Sequence, residues 1–297
     1  MKMRIVLTLA LSLALMAAGC GTPSGSRGTT IVATTTIVGD LVRQIARDCA
    51  TVEVLMPVGA DPHEFEASAR QVAAMEKATL VVANGLGLEE GMASVLDAIE
   101  KNGVPVLKVG ELETPRFFSD GTPDPHVWFD PERMANAATA IAAKLVEINP
   151  EATDCPARGQ AYAQEILATE QTMRDLFDQI PADRRKLVTG HMAFGYLADR
   201  FGFSIVGVVI PGGGTMGAPS ARDLAALART IVDENVPAIF TESTESPTLP
   251  DALAKEVGHD VKVVSLYTGS LGAPGSGADT YLGLLLTDAH TITDALK

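Results

Sequence analysis

Two of the five histidines in this 297-residue sequence each end a copy of the same tripeptide, Asp-Pro-His. Asp-Pro-His occurs at residues 61–63 and again at 124–126. Because proline fixes its own φ angle and favours an extended residue before it, both histidines should be presented from stiff loops. A neutral imidazole is a common ligand of borderline divalent metals such as zinc. We therefore treat His63 and His126 as candidate metal ligands.

A third histidine, His191, follows Thr189-Gly190 at the end of a predicted strand. In open α/β sheets, loops at the carboxyl ends of the strands line the ligand crevice. Asp279, which follows the glycine- and serine-rich segment 269–277, would supply a carboxylate as the fourth ligand. These ligands would place a zinc-like ion between two domains. Asp279 also stands directly before a predicted helix, so a helix N-cap is its alternative role.

A secreted zinc-dependent hydrolase is the alternative function for three clustered histidines, since a metal with an open position can activate water. Glu64, Glu242 or Glu245 would then be the base. The sequence contains no HExxH motif, and Asp279 as a ligand would fill the open position. We therefore expect a binding protein and no enzymatic activity.

A glycine-rich segment raises a second alternative function, dinucleotide binding. Residues 212–217 match the pattern GxGxxG after a predicted strand. A dinucleotide-binding loop would feed directly into a helix. Here Ala218 and Pro219 separate the glycines from the helix that follows, so the segment is interpreted as a flexible loop of the crevice.

The elements that must position these residues alternate between β-branched runs and amphipathic stretches, a pattern typical of parallel sheets covered by helices. We predict an α/β fold with two similar parallel-sheet domains, residues 29–150 and 184–297. They are joined by one long helix within 151–183, with the metal site in the cleft between them. The predicted strands are 30–35, 51–56, 79–83, 104–109, 186–189, 204–210, 238–241 and 261–266. The helices that begin near Ser68 and Ser220 have similar sequences, each close to a capping box.

The N-terminus has the features of an export signal. A basic start, Met1–Arg4, precedes an apolar run, Ile5–Ala18, that is too short to span a membrane as a helix. The small residues before Cys20 resemble the cleavage box of bacterial lipoproteins. Residues 1–19 are therefore predicted to be a signal peptide, Cys20 the lipidated residue and residues 20–28 a flexible tether. An ordinary secreted protein is the alternative.

The formal net charge of −14 argues against a nucleic-acid binder, which needs a basic face to displace counterions. It also argues against electrostatic docking on an anionic membrane. Two cysteines, Cys49 and Cys155, follow Cys20 in the chain, and neither has the spacing of a metal site. An oxidising compartment would permit one disulfide between them, but the sequence does not decide whether they pair.

The histidine segments and their flanks resemble the solute-binding lipoproteins of bacterial zinc and manganese ABC importers. The resemblance covers the chain from about Thr29 to Lys297. Its most specific pieces are residues 56–66, 124–128, 190–196, 239–242 and 277–281. It implies two α/β domains joined by a long helix, with one metal ion bound by the residues at 63, 126, 191 and 279. It also implies that Glu242 orients a histidine through its ring N–H.

The same resemblance implies a monomer, lipid-anchored outside the cytoplasm, that delivers its ion to an ABC permease and the associated ATPase. Many zinc-specific members carry a histidine-rich loop, which the segment Glu111–Pro123 lacks. Manganese receptors often have a glutamate where this chain has His191. Because a third imidazole favours Zn²⁺ over Mn²⁺, zinc is the expected ion and manganese the alternative.

Overall fold

The computed structural model describes residues 28–257 and 261–297. The predicted signal peptide, Cys20 and residues 20–27 of the predicted tether lie outside the described residues. Within the described ranges, none of the helices is both long enough and apolar enough to cross a membrane.

The first half contains a four-stranded parallel sheet with the strand order β2-β1-β3-β4. Its strands are β1 (Thr30–Ala33), β2 (Thr51–Val54), β3 (Leu80–Ala83) and β4 (Val106–Lys108). Its helices are α1 (Thr36–Ala46), α2 (Ala69–Met75), α3 (Ala93–Lys101) and α4 (Pro131–Ile148). The central strands β1 and β3 are buried on both faces, which explains their continuous apolar sequence. Strand β1 ends before its predicted limit because the Thr35 side chain accepts the Val38 N–H and caps α1.

The second half repeats this arrangement as the order β6-β5-β7-β8, again parallel. Its strands are β5 (Lys186–Thr189), β6 (Ser204–Val208), β7 (Ala238–Glu242) and β8 (Lys262–Leu266). Its helices, after the connecting helix α5 (Cys155–Phe177), are α6 (Gly195–Phe201), α7 (Ala221–Asp233), α8 (Thr248–Val257) and α9 (Tyr281–Leu296). Capping boxes at Ser68 and Ser220 start the corresponding helices α2 and α7. The predicted fold of two similar parallel-sheet α/β units is confirmed.

Helix α5 connects the halves and has 23 residues, about 34 Å at 1.5 Å per residue. It packs against α4 of the first half and α9 of the second. The apolar core continues from one half into the other, for example where the rings of Phe129 and Phe194 have centroids 4.6 Å apart. Because closely packed cores resist deformation, this shared packing should restrict how far the halves separate.

Cys49 and Cys155 lie close together beside the start of α5. Both are free thiols in the structure. Burial and a hydrogen bond with Cys49 raise the pKa of the Cys155 thiol to about 11. Arg158 Nη1 donates to the Cys49 Sγ at 3.4 Å. The sequence left the pairing of these two cysteines open, and the structure contains them as two thiols.

Candidate metal centre

Three imidazoles from different loops converge in the cleft between the two sheets. The Nε2 of His126 lies 3.4 Å from that of His63 and 3.0 Å from that of His191. All three residues are at most 3% exposed. Zinc–nitrogen bonds of about 2.0–2.1 Å in a tetrahedral arrangement separate two nitrogens by roughly 3.3 Å. The three nitrogens are therefore spaced to bind a single ion.

Each histidine stands after a strand, in the loop at its carboxyl end. His63 lies in the loop after β2, and His126 lies after β4 at the start of a short 3-10 helix. His191 lies two residues after the end of β5 and precedes another short 3-10 helix. Since both sheets are parallel, these ends meet at one edge of each sheet, as expected for a ligand crevice.

The aspartate of each Asp-Pro-His tripeptide holds the backbone of its histidine. Asp61 Oδ1 accepts the backbone N–H of His63 at 2.9 Å. Asp124 Oδ1 accepts that of His126 at 3.1 Å. A side chain that accepts the N–H two residues on forms an Asx turn. The loops are therefore stiffened by the aspartates as well as by the prolines, and the repetition of Asp in both tripeptides is the sequence signal for this contact.

Two of the three rings are oriented by buried carboxylates. His126 Nδ1–H donates to Asp124 Oδ1 at 2.8 Å, and His191 Nδ1–H donates to Glu242 Oε1 at 2.5 Å. These bonds place the proton on Nδ1 and leave Nε2 as the free lone pair, as in many metal sites. Glu242 therefore contacts a histidine ring N–H, and its role in orienting a metal ligand stays a prediction. Its other oxygen accepts the hydroxyl of Thr268, a residue for which the sequence offered no signal.

The three histidines differ in basicity. Burial, reinforced by the charges of the other two histidines, lowers the pKa of His63 to about 2. Burial also lowers the pKa of His126, against the opposing effect of Asp124. Burial alone would lower the pKa of His191 as well, but the Glu242 carboxylate outweighs it and raises that pKa. His191 is therefore the ring at which protons compete most with a metal.

Asp279 does not join the three histidines, in contrast to the sequence-based expectation. Its carboxylate is exposed and accepts the backbone N–H of Gly275 at 2.9 Å. The loop before it closes on itself, since Gly272 N–H donates to the Ala278 carbonyl, and this turn keeps Asp279 outside the cleft. The alternative role is also wrong, because Thr280 provides the N-cap of α9.

The same loop does reach the site, but through its first residues. Thr268 supports Glu242, and a Cβ on Gly269 would lie 2.6 Å from Pro62 Cδ. A residue with a side chain would therefore clash with the His63 loop at this point. Among the described residues, the ligand atoms clustered with all three histidines include no carboxylate oxygen. A fourth protein ligand would leave no metal position for water and so exclude a hydrolase, but Asp279 gives this exclusion no support in this structure.

Several further polar residues surround the cluster. Glu245 Oε1 lies 3.8 Å from His191 Nδ1, and burial together with the Glu242 charge raises the pKa of Glu245 to about 7. Arg116 joins the two halves, since its guanidinium donates both to Asp124 of the first half and, at 2.6 Å, to Asp199 of the second. Arg116 has no motif around it that would indicate a role at the site, and the sequence suggested Glu245 only as the base of a hydrolase.

Comparison with known proteins identifies the family. Residues 31–295 match the family described as zinc-uptake complex component A, periplasmic (ZnuA). The manganese-binding lipoprotein MntA of Halalkalibacterium halodurans is 29% identical over 293 residues, which cover 96% of each chain. The zinc-binding protein TroA of Treponema pallidum is 33% identical over 90% of this chain and 88% of that protein.

The solved structure of the periplasmic zinc-binding protein TroA from Treponema pallidum superposes with a TM-score of 0.85. It covers 90% of this chain and 99% of its own, at 32% sequence identity. A Mn-bound periplasmic metal-binding protein from Candidatus Liberibacter asiaticus superposes with a TM-score of 0.79 at 25% identity over 91% of this chain and all of its own. The resemblance noted in the sequence is thereby confirmed, and the chain belongs to the ZnuA family of periplasmic zinc-uptake components.

Proposed function

We propose that this protein is the metal-binding receptor of an ABC importer, binding one Zn²⁺ per chain and delivering it to a membrane permease. The observation that carries the proposal is the group of three buried Nε2 atoms, 3.0 and 3.4 Å apart, that face one another between the two halves. Family membership supports a receptor over a hydrolase. His63, His126 and His191 are the proposed ligands.

Capture requires little rearrangement of two rings. Asp124 and Glu242 hold His126 and His191 with Nε2 pointing into the cluster, so their orientation is set before the ion arrives. Two ligands come from the first half and one from the second, so the ion links the halves. Binding to the folded protein alone stabilises it by RT ln(1 + [M]/Kd). Release then requires His191 to move away from the other two histidines.

The ligand chemistry favours zinc over manganese. Imidazole nitrogens suit Zn²⁺, whereas Mn²⁺ prefers carboxylate, carbonyl and water oxygens. The proposed ligand set consists of three nitrogens, and Asp279 is not among them. Relatives include both zinc-binding and manganese-binding proteins by name, so the choice rests on the donor atoms of this chain.

We also propose a lipid anchor, a monomeric state and two structural units for this protein. The mature protein would begin at Cys20, carry a lipid there and stand outside the cytoplasm on a tether ending near residue 28. It would act as a monomer beside the permease and its ATPase. Residues 29–150 and 184–297 would behave as the two units, with the helix between them limiting their relative motion.

A competition titration tests this function. The metal-stripped mature protein is titrated with Zn²⁺ and Mn²⁺, and bound metal is measured by calorimetry and elemental analysis. One equivalent of Zn²⁺ that Mn²⁺ displaces poorly is the expected result. Tight binding of Mn²⁺ together with weak binding of Zn²⁺ would identify manganese as the bound ion. Lack of stoichiometric binding of either ion would contradict the receptor function.

A further inference from the structure

The three proposed ligands differ in what their outer ring nitrogen contacts. Asp124 accepts from His126 and Glu242 accepts from His191, but the Nδ1 of His63 has no hydrogen-bond partner among the described residues. His63 is only 3% exposed, so this nitrogen has little access to water. A buried N–H without an acceptor is costly. If Nε2 binds the metal, Nδ1 must carry the proton, and that proton needs an acceptor.

One carboxylate stands within reach of this nitrogen. Glu90 Oε1 lies 3.4 Å from His63 Nδ1, at the long end of the hydrogen-bond range, and the two atoms form no hydrogen bond as they stand. The Glu90 side chain is 47% exposed. Asp124 and Glu242, by contrast, are both buried and bonded. Glu90 is therefore less constrained than the other two acids.

The surroundings leave room for the movement that a bond would need. A cavity of about 430 Å³ has both His63 and Glu90 in its lining, together with Phe118, Gly213 and Gly214. A Cβ on Gly214 would lie 3.1 Å from Glu90 Oε1 and 3.5 Å from His63 Nδ1. Because Gly214 has no side chain, this loop of the second half can approach Glu90 and His63 without coming between the two side chains.

We propose that Glu90 is the positioning residue of His63: in the metal-loaded protein its carboxylate accepts the Nδ1–H of His63 and directs Nε2 to the ion. This rests on the proposed metal-binding function and adds a residue outside the ligand set. All three histidines then have a carboxylate on the outer nitrogen. Glu90 differs from the other two acids in being substantially exposed and in making no hydrogen bond to its histidine in the structure.

The test compares Glu90→Ala, Glu90→Gln and a matched control, Glu66→Gln. Glu66 is an exposed acid three residues from His63, so the control removes the same charge nearby without touching the ring. The Zn²⁺ dissociation constant is measured by competition with a chromophoric chelator. The His63 tautomer in the zinc-loaded protein is read from long-range ¹H–¹⁵N NMR correlations. Thermal unfolding of each metal-free variant checks that the fold is intact.

Loss of an outer hydrogen-bond partner typically weakens metal binding by about 10–100-fold, which is the expected effect of Glu90→Ala. Glu90→Gln should recover most of the affinity because its amide oxygen can accept the same hydrogen bond. Glu66→Gln should stay within about twofold of wild type, as expected for an exposed charge that makes no bond to the site. In wild type, His63 should carry its proton on Nδ1.

Three results would overturn the proposal, and only the last of them would also overturn the receptor function on which it rests. If wild type binds one zinc while Glu90→Ala keeps the wild-type affinity, Glu90 does not position His63 and the receptor function stands. If His63 coordinates through Nδ1, the proposal is wrong in the same way. Wild-type protein that binds no stoichiometric zinc would overturn both this proposal and the function on which it rests.

Discussion

In each Asp-Pro-His tripeptide the aspartate accepts the backbone N–H of its own histidine. The two aspartates differ in their other hydrogen bonds. Asp124 accepts both the backbone N–H and the ring Nδ1–H of His126 through one oxygen. Asp61 accepts only the backbone N–H of His63, and its second oxygen accepts the Thr215 hydroxyl from the other half at 2.6 Å. Both tripeptides contact the other half, since the Asp124 carbonyl accepts the Tyr196 hydroxyl at 3.2 Å, but only the second also fixes the ring of its histidine.

This difference shows that an identical tripeptide does not determine the environment of its histidine. The Asx turn depends on atoms two residues apart, so both tripeptides form it. The ring partner depends on the rotamer of the histidine and on which loop lies opposite. His126 stands at the centre of the cluster with its orientation set, while His63 retains an unpartnered ring nitrogen among the described residues.

The largest expected effect is loss of a ligand from either tripeptide. His126→Ala and His63→Ala should each weaken zinc binding by more than the roughly 100-fold that loss of an outer partner produces. His126→Ala should be the more severe, because its Nε2 is adjacent to both of the other nitrogens. Calorimetry measures the change, with the exposed His290→Ala as the control. Stoichiometric, tight binding by either cleft variant would contradict the proposed site.

Substituting the two aspartates tests the comparison directly. Asp124→Ala removes the acceptor that orients the His126 ring and should weaken zinc binding by about tenfold or more. Asp61→Ala removes the acceptor of the His63 backbone N–H but takes no partner from the His63 ring, so a smaller effect is expected. The dissociation constants of the two variants, measured in parallel, give the result. Equal losses would mean that the ring contact of Asp124 has no special role.

The pH dependence of zinc binding tests the difference between His191 and the two tripeptide histidines. The pKa values of His63 and His126 are lowered, so these rings remain neutral at ordinary pH, whereas the pKa of His191 is raised. A metal requires the deprotonated nitrogen, so zinc affinity should fall as pH decreases through the raised pKa of His191, by up to about tenfold per pH unit.

Glu242→Gln provides the control for this pH effect. It removes the carboxylate that raises the pKa of His191, so the fall in affinity should begin at a lower pH than in wild type. Chelator competition over a pH series that extends to both sides of the ordinary histidine pKa of about 6.5 measures the two midpoints. An unchanged midpoint in Glu242→Gln would indicate that a different group takes up the competing proton.

The smallest effect is expected from Asp279→Asn. The Asp279 carboxylate is exposed and bonded to its own loop, so its replacement should change zinc affinity by less than about twofold. The same titration used for the histidine variants measures it. A tenfold or greater loss would show that the loop rearranges on metal binding and brings this carboxylate to the ion.

Much of the fold was predictable because its signals are local. The buried strands β1 and β3 are continuous apolar runs, and the capping boxes at Ser68 and Ser220 depend on residues three apart. The histidine at 191 was predictable from its place after a strand. Asp279 was misplaced because residue type and proximity to a helix do not reveal how a glycine-rich loop turns.

Local sequence was therefore sufficient for the elements, the three histidines and the family. Tertiary structure alone decided which residues from distant parts of the chain meet around the rings. The contacts of Glu242 with Thr268, of Asp61 with Thr215 and of Arg116 with Asp199 each join residues at least 26 positions apart. Such contacts depend on how two sheets pack and how loops cross the cleft. Neither periodicity nor a motif encodes that geometry, since it arises only when the whole core has assembled.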